Sequence, residues 1–279
     1  MIREPSEFYE KKPIAYEDGI PVFSESDYYV KNYERISTDH LDHFEKTGHN
    51  PFMREDYWRE VENTTGALIK KYAIAENTKI LDVGVGMGRL LERVPEFQRF
   101  GMDISKGYLK YAKSKGIHVC MSRIEDMPYK ENFFDICVTT DVLEHVLDLN
   151  LAVSKILSVL KEGGILIVRV PFKEDLKGYF QEDYPYDLVH LRNFDEYNLR
   201  MLFEKIFNID VLEWNLTGFI GGRLKIGADI RYYSGLMSRF VDLTSKINGE
   251  IHKSLSRIMN NPIEINMVIK KSNRSDLER

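Results

Sequence analysis

The most constraining feature of this sequence is a run of three glycines at alternate positions, directly after a short apolar stretch. Residues 80–83 read Ile-Leu-Asp-Val, and Gly84, Gly86 and Gly88 follow. Glycine permits left-handed backbone angles and lets a ligand approach the main chain without meeting a Cβ atom. Residues 89–93 are expected to begin a helix, whose unpaired N–H groups would face that ligand. The pattern therefore predicts a buried strand, a tight ligand-binding turn and a helix.

Two carboxylates accompany this turn. Asp82 lies two residues before the first glycine, at the mouth of the predicted strand. Because a buried carboxylate is costly unless it is paired, we expect a cationic or hydrogen-bond-donating ligand beside it. Asp103 ends the next predicted strand, where an acid can bind two ribose hydroxyls. The G-x-G-x-G spacing differs from the G-x-G-x-x-G of dinucleotide-binding folds, which disfavours a nicotinamide oxidoreductase.

The turn and its two acids resemble the first motif of the class I S-adenosylmethionine-dependent methyltransferases, D-x-G-x-G-x-G after a strand. Later segments resemble that family in the same order: 133–138 (FFDICV), 141–146 (DVLEHV), 160–164 (LKEGG) and 190–194 (HLRNF). The resemblance covers about residues 55–214 and the last predicted strand, and it implies S-adenosyl-L-methionine as the cofactor. The residues expected to bind it are Asp82, Gly84, Gly86, Gly88, Asp103, Ile104, Ile124, Glu125 and Thr140.

Residues 123–129 (RIEDMPY) resemble the acidic loop with which that family reads the adenine ring. Arg123 stands where the family usually has the first acid, so the adenine contact is left open. The N–H of Ile124 can still serve, and Glu125 or Asp126 can replace the missing acid. This departure favours the alternative that the chain is a non-catalytic module that binds S-adenosylmethionine.

Strand and helix patterns alternate through five steps, which predicts a doubly wound α/β architecture. We expect a Rossmann-like sheet of seven strands, parallel except for an antiparallel last strand, with a helical insertion before that strand. The expected division is an N-terminal extension or cap (1–50), a methyltransferase core (51–214), the helical insertion (215–261), and the last strand with the tail (262–279). Apolar residues at helical spacing in the insertion are typical of core or of a homodimer seam.

His145 and His190 are the candidate general bases, because an imidazole can take a proton from a hydroxyl or amine near neutral pH. His145 follows the fourth predicted strand, and His190 lies in the aperiodic segment 172–192, which we expect to be a substrate-binding lid. Asp141 is expected near the sulfonium, and it or Glu144 could orient the base or bind a polar acceptor. The competing interpretations are histidines bonded to the backbone and, for Glu144, an acid favoured by a helix N-terminus.

Two further residues are candidates for ligand contacts. Residues 28–36 resemble the helix that lies across the cofactor in such enzymes, where a tyrosine often touches it. For Tyr33, a cofactor contact and a role as a surface anchor have equal weight. Arg192 is a candidate clamp for a phosphate or carboxylate, and its alternative is a surface ion pair.

No metal site is expected, because Cys120 and Cys137 are too few for a zinc site or a disulfide framework. Both lie in predicted strands and are expected to be reduced core thiols. No apolar run approaches the ~18 residues of a membrane span. The first residues lack the apolar segment of a signal peptide, so we expect a soluble, cytoplasmic protein without membrane contact.

The net charge of −5 argues against a protein that binds nucleic acid through its phosphates. Segment 172–192 mixes tyrosines, acids and a few cations. These features favour a methyltransferase that acts on oxygen or nitrogen of a small polar molecule, such as a sugar, a sugar nucleotide or a phosphorylated amine. An RNA or protein methyltransferase and the non-catalytic binding module are the alternatives left open.

Overall fold

The computed structural model describes residues 7–51, 53–219, 243–244 and 249–272. Its strands are β1 Ala15–Glu17, β2 Ile20–Val22, β3 Lys79–Val83, β4 Gln98–Asp103, β5 His118–Met121, β6 Phe134–Thr140, β7 Leu160–Pro171, β8 Asp210–Thr217 and β9 Glu264–Lys270. Its α-helices are α1 Tyr28–Thr47, α2 Glu55–Tyr72, α3 Lys106–Ser114, α4 Leu149–Val159, α5 Glu196–Arg200 and α6 Gly249–Met259.

The described strands form one sheet in the order β1-β2-β5-β4-β3-β6-β7-β9-β8. Strands β2 to β7 run parallel to one another, whereas β1 runs antiparallel to β2, and β9 runs antiparallel to both β7 and β8. The doubly wound α/β fold is confirmed, but the predicted count of seven strands is wrong, because β1 and β2 extend the sheet beyond β5. These two strands form a hairpin at Asp18 (φ 51°) and Gly19 (φ 68°). Two positive φ angles in a row define the tight turn that matches the twist of paired strands.

Apolar helices cover both faces of the sheet. Along β3, Ile80 packs in one buried cluster while Leu81 and Val83 pack in the other, as alternation along a strand requires. The first cluster includes side chains of α2 and α3, and the second includes side chains of α4 and α5. The parallel strands are therefore buried on both sides, and their carboxyl ends share one edge of the sheet.

The segment after the three glycines departs from the prediction of a helix over 89–93. Only Leu91–Arg93 is helical, as a single 3-10 turn. Pro95 follows Val94, and the residue before a proline is disfavoured in helical backbone. The N-terminus of an α-helix therefore does not face the ligand at this turn.

The N-terminal part of the chain contributes a long helix as well as the hairpin. Helix α1 is longer than the predicted 28–36 and begins after Asp27, whose side chain accepts a hydrogen bond from the N–H of Val30 at 2.9 Å. Of the predicted insertion 215–261, β8 takes the first residues and α6 some of the last. Three residues of its apolar stripe, Leu236, Phe240 and Ile247, and the tail after residue 272 lie outside the described residues. Among the helices that the structure describes, none is long and apolar enough to cross a membrane.

A buried ion-pair group fixes the segment after the glycines to α2. Glu62 of α2 is 2% exposed. Its two carboxylate oxygens accept hydrogen bonds from Arg89 Nε at 3.0 Å and Arg93 Nη2 at 2.6 Å. The guanidinium of Arg89 also lies 3.8 Å from the ring centroid of Trp58. These contacts hold the end of the turn against the helix that precedes it.

We expect Glu62→Ala to lower the free energy of unfolding by about 3 kcal/mol, because it removes the buried carboxylate that two partly buried guanidinium groups share and leaves them Glu55 and Asn63 as acceptors. Urea denaturation followed by circular dichroism measures this change. Lys70→Ala on the same helix is the matched control. Lys70 forms an exposed pair with Glu96 at 3.3 Å, so its removal should cost less than about 1 kcal/mol. Equal losses in the two variants would contradict this account.

Candidate active site

A cavity of about 1260 Å³ opens beyond the carboxyl ends of the parallel strands. Gly84 and Asp103 contribute to its wall from the ends of β3 and β4, and Asp141 and Pro171 from the ends of β6 and β7. The opposite wall comes from α1, from the segment 171–190 and from residues 261–264. This is the crevice in which open parallel sheets bind ligands.

The three glycines have different surroundings. Gly84 (φ +83°) and Gly86 (φ +50°) line the cavity, and a Cβ atom built on Gly86 would meet no atom within 4 Å. A Cβ atom on Gly88 (φ +76°) would lie 2.6 Å from Ile117 Cδ1, because Gly88 packs against α3 and the start of β5. The sequence groups all three as ligand-binding, whereas the structure gives Gly88 a packing position and leaves it outside the cavity wall.

Asp103 is anchored at the edge of the cavity by the main chain. Its Oδ2 accepts a hydrogen bond from the N–H of Gly86 at 2.9 Å, and its Oδ1 accepts one from the N–H of Ser105 at 2.9 Å. Burial raises the pKa of Asp103 to about 6, although these hydrogen bonds oppose the shift. Ile104 lies beside it on the wall. The carboxylate is thus held in one orientation with its remaining acceptor capacity at the cavity.

Asp82 and Thr140 lie behind the wall rather than on it. Asp82 is 1% exposed, and its Oδ1 has no hydrogen-bond partner among the described residues. Burial raises the pKa of Asp82 well above its usual value, and the nearby Arg169 charge acts in the opposite direction. Neither Asp82 nor the half-buried Thr140 is part of the cavity lining, so direct ligand contacts by these two residues stay predictions.

The loop that resembles the adenine-reading segment places Ile124 and Glu125 on the cavity wall. The guanidinium of Arg123 donates to Asp27 Oδ2 at 2.5 Å and lies 5.2 Å from the ring centroid of Tyr29. Asp126 accepts from Ser24 Oγ at 2.7 Å, which leaves Glu125 as the acid of this loop that reaches the cavity. Arg123 therefore has a structural partner in the N-terminal segment, which the sequence comparison with the family motif could not show.

The structure also brings His145 and His190 together on the cavity wall. Their ring centroids are 4.6 Å apart. His145 Nδ1 lies 3.0 Å from the carbonyl oxygen of Val189 and 3.1 Å from the hydroxyl of Tyr33. His190 Nδ1 donates to the carboxylate of Glu174. Burial and the neighbouring His190 lower the pKa of His145 to about 4, so its imidazole is neutral at physiological pH.

Asp141 is fixed by a buried arginine that sequence analysis missed. Arg169 is 3% exposed, and its Nη2 donates to Asp141 Oδ2 at 2.5 Å. Asp141 has φ 57°, and its N–H donates to the carbonyl of Arg169 at 3.0 Å. The available signal was one arginine inside the apolar strand 165–170. Because its carboxylate is paired with Arg169, Asp141 is suited to positioning more than to accepting a proton.

Arg192 is neither a ligand clamp nor a surface ion pair in the structure. Its Nη1 donates to the carbonyl oxygens of Leu143 at 2.8 Å and Val146 at 2.6 Å. These bonds join the segment of His190 to the turn after β6. The arginine of the H-x-R-x-F motif thus sets the distance between the two histidines.

The pKa of Asp103 predicts how the affinity for S-adenosylmethionine depends on pH. Below a pKa of about 6 the carboxyl is protonated and no longer accepts hydrogen bonds from two ribose hydroxyls. We expect the affinity to fall about tenfold between pH 7.5 and pH 5, measured by calorimetry. Asp103→Asn should bind more weakly with a flat profile, and an unchanged slope in that variant would contradict the assignment.

The comparisons with known proteins agree with this geometry. Residues 81–168 match the family model described as a methyltransferase domain. An uncharacterized protein of Methanocaldococcus jannaschii is 37% identical over 39% of this chain and 48% of its own length. A tRNA (carboxymethyluridine(34)-5-O)-methyltransferase of Arabidopsis thaliana is 31% identical over 35% of this chain and 25% of its own length. A ubiquinone biosynthesis O-methyltransferase of Bartonella quintana is 32% identical over 33% and 41%, respectively. The chain spans about half the length of the first of these relatives and less of the other two.

Solved structures share the fold over most of the chain. The complex of the Haloferax volcanii Trm112 methyltransferase activator with a putative methyltransferase aligns with a TM-score of 0.56 at 15% identity, over 90% of this chain and 100% of that one. A possible histamine N-methyltransferase of Thermotoga maritima aligns with a TM-score of 0.52 at 17% identity, over 87% and 99%. Residues 81–168 therefore match a methyltransferase domain, and the solved structures show that the chain shares the α/β fold of such enzymes.

Proposed function

We propose that this protein transfers a methyl group from S-adenosylmethionine to an oxygen or nitrogen atom of a small polar molecule. The observation that carries the proposal is the cavity beyond the strand ends, whose volume of about 1260 Å³ exceeds the ~300–1,000 Å³ of ordinary ligand pockets. Such a volume can hold the cofactor and a second small molecule. The glycine turn, Asp103 and the two histidines all contribute to the lining of the cavity.

The segment 172–190, which lines the cavity, favours the proposal of a small acceptor. This segment is hydrogen-bonded to α1 at successive positions: Asn32 Nδ2 donates to Leu188 O at 2.7 Å, and Tyr33 Oη donates to Val189 O at 3.2 Å. Arg35 Nη2 donates to Pro185 O at 2.5 Å. A folded macromolecule would have to break these contacts to reach the histidines, whereas a small molecule fits beneath them.

The charge of the described cavity wall supports a polar acceptor. Seven acids line the wall (Asp103, Glu125, Asp141, Glu144, Glu174, Asp175 and Glu264), against three arginine or lysine residues (Arg54, Arg123 and Lys173). Several tyrosines add hydroxyl groups. This wall favours acceptors that donate hydrogen bonds or carry an amine, so a sugar, a sugar nucleotide and a phosphorylated amine remain our candidates.

The residues at the turn fit the cofactor. Gly86 leaves open space where any side chain would project, and Asp103 presents a fixed carboxylate. The cofactor, when bound, supplies a methyl group attached to a sulfonium. A lone pair of the acceptor would form the new bond to the methyl carbon, and the carbon–sulfur electron pair would go to sulfur, which leaves as the neutral thioether. The chain contributes mainly alignment, for which ~7–11 kcal/mol is the upper range. His145 and His190 line the same cavity and are our candidates for the groups that activate the acceptor's nucleophilic atom.

One relative favours a second candidate, methylation of RNA. The Arabidopsis protein named above acts, by its name, on a tRNA uridine. A single base turned out of its strand could enter an enclosed cavity. The net charge of −5 counts against an extensive contact with phosphates.

The acceptor class can be tested with labelled S-adenosylmethionine and cell extract divided by size. We expect label in the small-molecule fraction, and we expect it to depend on His190. Label that appears only in RNA or only in protein would overturn the small-molecule proposal. No label in any fraction, together with normal binding of S-adenosylmethionine, would favour the non-catalytic module.

Gly86→Ala and Gly88→Ala separate cofactor binding from packing. Gly86→Ala places a methyl group in the open cradle, so we expect at least ~10-fold weaker cofactor binding and a loss of unfolding free energy near 1 kcal/mol. Gly88→Ala forces a Cβ atom against Ile117, so we expect a loss of about 1–3 kcal/mol with smaller effects on affinity. Calorimetric titration and thermal denaturation measure both quantities, and a reversed pattern would contradict the roles given to the two glycines.

We also propose a cytoplasmic location and pairing through the insertion. Cys120 and Cys137 are buried free thiols, which suits a reducing compartment. Of the apolar residues in the insertion that the structure describes, Leu243, Ile251 and Ile258 are 53%, 50% and 69% exposed. Exposed apolar side chains at helical spacing are suited to a seam between two copies.

A further inference from the structure

Three metal-ligating side chains meet on the cavity wall. Glu144, His145 and His190 each offer one ligand atom, and these atoms all lie within 4.8 Å of one another. The first two residues belong to the turn after β6, and His190 belongs to the segment before α5. Besides the two bonds from Arg192, the N–H of Leu191 donates to the carbonyl of Glu144 at 2.9 Å. The cluster is therefore built by fixed main-chain contacts between two distant parts of the chain.

Both histidines are oriented in the way that metal ligands usually are. A histidine bound to a metal donates its other ring N–H to a carbonyl or carboxylate, which fixes the tautomer. His145 Nδ1 has the carbonyl of Val189 at 3.0 Å as its acceptor, and His190 Nδ1 has the carboxylate of Glu174. A carbonyl or carboxylate oxygen cannot donate, so in each neutral ring Nδ1 carries the proton and Nε2 carries the free electron pair.

Glu144 is a buried acid whose carboxylate accepts no hydrogen bond from the described residues. It is 1% exposed. Its Oε1 lies 3.8 Å from His145 Nε2. Asp141, Glu174 and Glu264 are also close enough to act on its charge. A buried carboxylate that lies among other acids must either bind a cation or be protonated.

We propose that Glu144, His145 and His190 bind a divalent first-row transition-metal ion of the Zn²⁺ type. Two imidazoles and one carboxylate form a donor set that zinc uses in catalytic sites, where a further position stays open. Imidazole ligands favour such ions over Mg²⁺ and Ca²⁺, which prefer oxygen. The prediction of no metal site considered only the two cysteines. The histidine and glutamate ligands proposed here could not be grouped from the sequence, because His190 lies far along the chain from Glu144 and His145.

The open position would serve the acceptor, and this part of the inference rests on the proposed function. A hydroxyl bound to a divalent cation loses its proton to solvent water at a much lower pH than a free hydroxyl. The resulting oxygen nucleophile would be held beside the histidines. In this arrangement the two histidines activate the acceptor through the ion.

The test is a titration of the tag-free, chelator-treated full chain with Co²⁺, which occupies zinc sites and absorbs visible light when nitrogen ligands bind it. We expect one equivalent of Co²⁺ to give ligand-field bands that Zn²⁺ abolishes and Mg²⁺ does not. Glu144→Gln and His190→Asn should each weaken Co²⁺ binding at least ~100-fold. Glu174→Gln, which keeps all three proposed ligands and alters the residue that His190 and Tyr179 contact, should weaken it ~10–100-fold.

Two control variants make the result specific. His43→Gln removes an exposed histidine of α1, and Glu264→Gln alters another buried acid of the cavity wall that has an oxygen without a described partner. Neither should change the Co²⁺ bands. Thermal denaturation verifies that each variant is folded, and if Glu144→Gln fails to fold, His190→Asn decides the outcome.

Three results would overturn the metal site: no Co²⁺ bands, bands that persist in both Glu144→Gln and His190→Asn, or competition by Mg²⁺ as strong as that by Zn²⁺. Methyl transfer that continues after chelation, together with absent bands, would remove the metal and keep the proposed function. Bands that behave as expected in a protein that transfers no methyl group would keep the metal site and remove the proposed function.

Discussion

A buried guanidinium holds the centre of this site together. Arg169 comes from near the carboxyl end of the apolar strand β7 and is 3% exposed. It pairs with Asp141 and also donates to Thr65 Oγ1 at 3.3 Å. Its positive charge acts on Asp82 and Glu264 as well, and opposes the rise in the pKa of each that burial causes. Removing one member of such a buried group leaves uncompensated charge, which is more costly than the pair itself is stabilising. The acids beneath the cavity can coexist because this one cation lies among them.

The same pair fixes the backbone that carries the catalytic candidates. Asp141 has φ 57°, a conformation that costs a residue with a side chain of the order of 1–3 kcal/mol. Two bonds to Arg169, one from the N–H and one to the carboxylate, hold it there. The bend redirects the chain after β6, so Glu144 and His145 reach the cavity instead of continuing the sheet. Strain at this position is thus linked to the geometry of the histidine cluster.

Sequence reasoning succeeded where the determinants are local. The strand before the glycines, the turn and Asp103 follow from residues within one β–α–β step, and the structure places Gly84, Gly86 and Asp103 on one wall. It failed where a distant residue contributes. Glu62 of α2 binds Arg89 and Arg93, and a local pattern of leucines and arginines could not reveal this contact. Pro95 was visible next to the predicted helix, and its effect on the preceding backbone should have shortened that prediction.

The site residues that sequence analysis missed also depend on contacts between distant parts of the chain. Arg169 looks like an ordinary interruption of an apolar strand until its neighbour β6 is known, because its role depends on pairing between strands. The meeting of His145 with His190 depends on Arg192, whose bonds to two carbonyls cannot be read from the order of residues. The Asp-Gly turn at residues 18–19 was visible in the sequence, but only its pairing with β5 makes the hairpin part of the sheet.

The N-terminal segment completes the cavity that the matched domain only begins. Helix α1 contacts two parts of the site: Tyr29 lies against Arg123 in the loop 123–129, and Tyr33 contacts His145. Asn32 and Arg35 bind the segment that covers the cavity. Residues 81–168 therefore carry the glycine turn, Asp103 and His145, whereas α1 and the covering segment lie outside that range. Specificity for the acceptor should accordingly be sought in α1 and in residues 172–192, where a family model that ends at residue 168 carries no information.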